Sequence, residues 1–451
     1  VYLAVRPRVL SKLLQGVGQS CELISKRSAD KSGARSSAIL ESFALYATGA
    51  SLPEFAEAYH WRTNGAEGLA EAAVCDFLVD GSHKSLSASG ALYAVDCSLQ
   101  YLLIARNSGF RIDSALESHA RMIIGRLSEL VPADLTLPQF NDCDGGRLSW
   151  FCMGPRDAAP ALQSGALLFD DFTPQLGDRI YSGYALWMAP SVEQMRQSPP
   201  GAGKREPVWV DSSGGKSVHE RVSDELTGYM NVHGDYLLLR CQSLTQQSDS
   251  AHDAPGGFTL HLAHRPVIVD SGTGSFTQSQ HIRDSFRSAR GKNSLLINNR
   301  GPSQTGRLFD WTRFTPVRLM AAREFEGGFY SLCRHSGFSE LCGFTVDIER
   351  EIIILNEGLA LLIDHWTAER EIETSLELTV STEFKISRAG RMIYEEDGSL
   401  FHYLVSPQFT IESDSDETAE DESDSDIEED ADSEESERDI RFKPQIKIRP
   451  F

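Results

Sequence analysis

Apolar residues recur every three or four positions through roughly the first 190 residues, the spacing that gathers them on one face of a helix. This pattern predicts helices over 38–48, 53–79, 85–107 and 114–130, with Leu92, Val95, Leu99, Leu102 and Leu103 forming one continuous face. Pro53 suits a first helical turn, where its missing N–H costs nothing, and Gly49 and Gly109 suit helix ends. Short polar links imply antiparallel hairpins, with one more over 155–190, that stack into a bundle or toroid. The turn-rich run Gln197-Ser198-Pro199-Pro200-Gly201-Ala202-Gly203-Lys204 then interrupts the pattern.

Beyond that break the period changes to that of strands. Alternating or continuous apolar runs predict strands over 208–210, 237–241, 258–262, 266–270, 294–297, 344–349, 351–355, 359–364 and 375–380. Many short strands separated by turns indicate stacked antiparallel sheets. The expected architecture is therefore α+β: a helical domain over 1–196, a linker over 197–204 and a β-sandwich over 205–451. Residues 442–451 alternate again and supply a last strand.

Composition alters this picture in one place. The chain has 451 residues, 41% hydrophobic and 24% charged, with a net charge of −22. Residues 412–439 hold 17 acidic side chains against Arg438, a net of −16, so the rest carries only −6. That run buries nothing and reads as a disordered, solvated insert. Without a basic surface, nucleic acid is not an expected partner, and no apolar run is long enough to span a membrane. Eight scattered cysteines without a Cys-x-x-Cys pair do not make a disulfide scaffold. Cys333 and Cys342 could meet across a hairpin, or remain buried thiols. A chain beginning at Val1 reads as a piece of a longer protein, so no signal peptide is visible and its compartment and oligomeric state are left open.

The densest signal lies between Ser250 and Asn299. Two strand runs lead into Asp270-Ser271-Gly272-Thr273-Gly274, a turn that needs glycine. Within this stretch stand Arg265-Pro266-Val267-Ile268-Val269-Asp270-Ser271-Gly272-Thr273 and Arg287-Ser288-Ala289-Arg290-Gly291-Lys292-Asn293. Upstream are Trp61-Arg62, Asp80-Gly81 with Ser87, and Pro138-Gln139-Phe140-Asn141-Asp142-Cys143-Asp144-Gly145-Gly146. In this order they resemble heparinase II/III-type polysaccharide lyases across roughly residues 35–380. The resemblance implies an incomplete α/α toroid followed by a β-sandwich, an acidic polysaccharide as partner, and a periplasmic or extracellular setting.

The chemistry implied by the family is β-elimination beside a uronate carboxylate. A site for it must neutralise that carboxylate, take the proton from the neighbouring carbon and assist the leaving oxygen. At the corresponding positions this chain has Arg35-Ser36-Ser37 for an Asn-Asn-His, Gly90-Ala91 for a Tyr-His, and Ser250 and Lys292 for two histidines. The remaining catalytic candidates are Tyr93, nearly one helical turn beyond Gly90, and His83 in the adjoining loop. Against these stand a Tyr packed in the bundle and an exposed loop His. Lys292, Asn293, Arg283 and Arg287 are candidates for binding an anionic sugar, with surface ion pairing the plainer role for the two arginines. No cofactor is required. His252 and Asp270 match two positions of a structural metal site, but zinc needs about four ligands, so His264 or His281 would have to join them. The plainer reading has His252 hydrogen-bonded at the sheet edge and Asp270 capping the glycine turn. Asp142 and Asp144 lack the rest of a calcium loop. Two functions follow: a lyase acting on uronate-containing glycans, or a degenerate member that binds glycan or a protein partner without turnover.

Overall fold

In the computed structural model the described residues are 6–29, 38–77, 87–132, 134–143, 147–148, 154, 156–170, 172, 174, 176, 182–188, 226–230, 234–244, 250–274, 279–307, 310–356, 358–382, 385–387, 392–394, 400–402, 410–413 and 445–450. The expected strand at 208–210, His83, and the acidic run beyond Ser413 lie outside them.

The helical half contains α1 (Pro7–Ala29), α2 (Ala38–Ser51), α3 (Ala58–Asp76), α4 (Ala88–Ser108), α5 (Ser114–Leu130), α6 (Ala159–Leu168) and α7 (Gly183–Met188). Two local signals delimit α4. The Ser87 hydroxyl accepts from the Gly90 N–H, and Gly109, at φ 66°, turns the chain out of the helix. The Asp113 carboxylate likewise caps α5 by accepting from the N–H groups of Ala115 and Leu116. Leu92, Val95, Leu99 and Leu102 lie in the buried core, as their spacing requires. Gly49 is not a helix end. Helix α2 runs past it, and a Cβ there would stand 2.3 Å from the Ala58 carbonyl and 2.5 Å from the Arg62 nitrogen. Gly49 is what lets α2 and α3 approach so closely. Pro53 sits in the turn before α3 rather than in its first turn.

The second half is built from β1 (Leu226–Met230), β2 (Tyr236–Arg240), β3 (Phe258–Leu262), β4 (Arg265–Ile268), α8 (Gln280–Arg287) and β5 (Leu295–Ile297). A hairpin of β6 (Gln304–Thr305) and β7 (Trp311–Arg313) follows. Then come β8 (Val317–Phe325), β9 (Gly328–His335), α9 (Phe338–Cys342), β10 (Val346–Leu355), β11 (Leu359–Ala368) and β12 (Thr374–Val380). The short β13 (Lys385–Ser387), β14 (Met392–Tyr394) and β15 (Leu400–His402) form a small sheet of their own, and β16 (Thr410–Ser413) and β17 (Gln445–Pro450) close the series. The main sheet is ordered β1-β2-β3-β4-β12-β17-β16 with β5 also on β12, and the facing sheet is β11-β10-β9-β8. Most pairings are antiparallel, but β17 runs parallel to both β12 and β16. The expected strands 344–349 and 351–355 are one strand, β10. Cys333 and Cys342 are free thiols.

Strand parity fixes how the halves meet. All five residues of β2 are buried, because the main sheet is covered on both faces. Tyr236 and Leu238 join the helical core, whereas Leu237 and Leu239 pack with Phe258, Leu260, Val317, Phe329 and Ile352 between the sheets. The Tyr236 hydroxyl donates to the Leu130 carbonyl at the end of α5, 2.9 Å away. Arg240 shares the parity of Tyr236 and Leu238, so the sequence alternation delivers a guanidinium to the boundary with the helical half. Among the described residues, no helix is long and apolar enough to cross a membrane.

Candidate functional site

The loop 141–143, which leaves the helical half, hooks onto the glycine turn of the sandwich. The Asp142 N–H donates to the Ser250 carbonyl at 2.8 Å, and the Cys143 N–H donates to Thr273 Oγ1 at 2.7 Å. From the helical side, the Ser87 hydroxyl donates to the Asp142 carbonyl at 2.6 Å, so the start of α4 abuts the same loop. Asn141 takes a left-handed backbone (φ 56°), which Asn tolerates better than most residues. Its Oδ1 accepts from Arg240 Nη2 at 2.9 Å and from the His252 N–H at 3.0 Å, and its Nδ2 donates to Gln242.

Two carboxylates organise the charges around this hook. Asp142 lies 2.7 Å from Arg283 Nη2 and 3.0 Å from His252 Nε2. Asp270 accepts from Arg240 Nη1 at 2.8 Å on one oxygen; on the other it accepts from Lys292 Nζ at 2.6 Å and from the Gly272 N–H at 2.7 Å. All these side chains are buried: those of Arg283, His252 and Lys292 expose none of their surface. Burial, and then the charge of Lys292, holds the His252 pKa well below its usual value, so the ring is neutral. Burial also lowers the Lys292 pKa, and the Asp270 charge opposes that shift.

The four expected ligand-binding residues are thus enclosed. Arg283 and Arg287 are not surface residues. Arg283 neutralises Asp142; the Arg287 guanidinium lies over the Trp311 ring at 4.5 Å, and its Nε donates to the Ala251 carbonyl. Lys292 is consumed by Asp270 and by the Gly272 carbonyl, 2.7 Å from Nζ. Asn293, also left-handed at φ 56°, fastens three segments: its Nδ2 donates to the Phe258 and Val269 carbonyls and its Oδ1 accepts from the Thr379 N–H, each at 2.8 Å. Tyr93 is half-buried on α4.

The expected metal pair is also redirected. His252 turns its Nε2 to Asp142 of the helical half rather than to the sheet edge, while Asp270 does cap the glycine turn. His264 and His281 are exposed. Among the described residues, no three His, Cys, Asp or Glu side chains are grouped to hold a metal ion. The donor chemistry does not fit one. Both Asp270 oxygens already bind cationic nitrogens, and an ammonium has no lone pair to offer a metal. The enclosure holds Arg240, Arg283, Arg287 and Lys292 against Asp142, Asp253 and Asp270, so a divalent ion would add to an existing excess of positive charge in a dry interior.

Several members of this network are absent from the expected set: Asn141 and Asp142 as interdomain ties, Arg240, and Arg350. Arg350 on β10 pairs with Asp364 through both nitrogens, at 2.6 and 2.7 Å, and donates to the Gly256 and Asn293 carbonyls. The available signal was a charged residue at an inward strand position, at the end of the β2 run and in the middle of β10. Beside the network, a cleft of about 230 Å³ opens between the halves, lined by Asp134, Gln139 and Arg156 from the helical side and by His261, Asp270 and Thr382 from the sandwich. Burial pushes the His261 pKa down to about 4, with Asp134 opposing the shift.

The architecture and the sequence have known counterparts. Heparan sulfate lyase HepC from Pedobacter heparinus, solved as a mutant, superposes with a TM-score of 0.57 at 16% identity over 86% of this chain and 54% of that one. A crystal structure of heparinase III gives 0.58 at 17% identity over 87% and 55%. A further heparinase III, the BT4657 gene product, gives 0.57 at 14% over 85% and 53%. The chain spans about half the length of these structures. No curated protein matches it. The heparinase II/III N-terminus model matches residues 3–150, and the heparinase II/III-like C-terminal model matches 225–445. With both models matched in order across its two halves, the chain belongs to the heparinase II/III-like family.

Proposed function

We propose that this chain is a non-catalytic member of its family that binds an acidic polysaccharide in the cleft between its halves. The observation that carries this reading is the saturation of the charged network. Proton abstraction beside a uronate needs a base that reaches the substrate and a free cation or amide to receive the carboxylate. Lys292, Arg283 and Asn293 are instead buried and engaged with protein groups. His252 is enclosed, neutral and aimed at Asp142. What faces the cleft suits binding: Arg156 for a carboxylate or sulfate, and Gln139, Thr382 and Asp134 for hydroxyls. Export from the cytoplasm goes with a polysaccharide ligand, and cell fractionation tests it.

A panel of uronate-containing polysaccharides tests both parts, since elimination leaves an unsaturated, ultraviolet-absorbing sugar. The expected result is binding to at least one member with no absorbance gain. Losing one charge-assisted contact by Arg156→Ala is expected to weaken that binding roughly tenfold or more while leaving the melting temperature unchanged. Binding unaffected by this substitution would move the ligand site elsewhere. The competing reading, an active lyase, rests on Tyr93, whose helix abuts the Asp142 loop. It requires absorbance gain from the parent chain and its loss in Tyr93→Phe.

A further inference from the structure

Lys292 Nζ lies in an oxygen cradle. It stands 2.6 Å from Asp270 Oδ1 and 2.7 Å from the Gly272 carbonyl, and the side chain exposes none of its surface. These two oxygens come from the two sides of the glycine turn, and Gly272 holds φ 71° between them. The same enclosure holds His252, whose ring feels the Lys292 charge and whose Nδ1 is buried with no hydrogen-bond partner among the described residues. An aspartate oxygen and a backbone carbonyl around one buried positive charge, in an enclosure that also holds a histidine, are the donor types that a divalent ion would draw in.

We propose that the Lys292 ammonium is the resident cation of this fold, built into the chain and replacing a bound metal ion. Its charge neutralises Asp270 together with Arg240, and its N–H groups close the glycine turn onto the start of the Asn293 segment. A cation carried on the chain's own backbone at residue 292 cannot dissociate, so the region keeps its geometry without metal supply. Burial, and after it the same positive charge, accounts for the undonated His252 nitrogen. A proton there would add a further cation to the enclosure, and the ring stays neutral within it.

The test is independent of lyase activity, so it stands or falls separately from the functional proposal. Metal content of the purified chain is measured by plasma mass spectrometry, and its melting temperature is recorded in EDTA and in added zinc or calcium. The same measurements are made on Lys292→His. The proposal expects substoichiometric metal in the parent chain and one melting temperature under all conditions. It expects Lys292→His to acquire about one zinc per chain, with a melting temperature that zinc raises by several degrees and EDTA lowers. A stoichiometric metal ion in the parent chain would overturn the proposal. So would a Lys292→His chain no more stable in zinc than in EDTA.

Discussion

At the scale of single residues, the centre of the molecule is held by charges that cannot reach water. Removing one partner from a buried ion pair leaves the other uncompensated, at a cost of roughly 3–5 kcal/mol. Asp142→Ala strands Arg283 and removes the acceptor of His252, so chemical denaturation is expected to show a loss of that order. An unchanged midpoint would mean the pairs do not form in solution. Asn293→Ala gives up three hydrogen bonds, two of them fully buried, and about 3 kcal/mol is expected to go with them. The buried histidines set the pH response. Burial lowers His261 to about 4 and His335 to about 3, and His252 is depressed as well. Each binds its proton in the unfolded chain at higher pH than in the folded one. Their stabilisation is therefore complete above about pH 6.5 and drains away as the pH falls towards 4 and below. Asp253, raised to about 6 by burial, and Asp96, raised likewise, work in the opposite direction as they protonate, but they are two groups against these three histidines and the half-buried His119, which burial also lowers. Melting temperatures recorded between pH 7.5 and 4.5 are expected to fall, and a flat profile would contradict the burial of these rings. Of this residue-scale picture, only the Asp270 cap was legible in the sequence, because it closes within two residues. His252 meets Asp142 across 110 positions and Arg283 meets it across 141. No local pattern encodes such pairings, and an arginine that turns inward looks in sequence like one that turns out.

At the scale of elements, periodicity was a good guide where one face of an element is buried and a poor one where chemistry interrupts it. The helix over 114–130 and the strand over 258–262 coincide with their apolar patterns, α5 and β3. The expected strands 344–349 and 351–355 are one strand, β10, because the charged Arg350 between them interrupts the apolar run without interrupting the backbone. Arg350 in fact points inward and meets Asp364 across the β10–β11 pair. Strand β8 carries no alternation to read in the sequence, because most of its residues are at least partly exposed. Gly49 follows the apolar pattern of 38–48 as a helix end would, whereas the reason for a glycine there is the neighbouring helix. Gly49→Ala would drive a methyl into the backbone of α3, and overpacking of this kind costs on the order of 1–3 kcal/mol. Loss of helical signal and melting temperature would report it. A silent substitution would mean that α2 and α3 pack less closely than described here.

At the scale of the whole molecule, a helical half and a two-sheet sandwich share one polar seam, and several of the family's sequence marks, Asn141, Asp142, Asp270 and Thr273 among them, fall on that seam. Asp270, Gly272, Arg287 and Asn293 made the family recognisable, and each is used to shape the turn or to fasten strands to one another. This explains why ancestry was readable while activity was not: the same motif residues serve the scaffold whether or not a reaction follows. The proposed function makes this seam a structural lock beside a binding cleft. It is tested most directly by incubating the chain with a panel of uronate-containing polysaccharides, following ultraviolet absorbance for the unsaturated product and measuring binding on the same samples. The expected result is binding to at least one polysaccharide with no absorbance gain above the protein-free control. A sustained gain that disappears in Tyr93→Phe would contradict it.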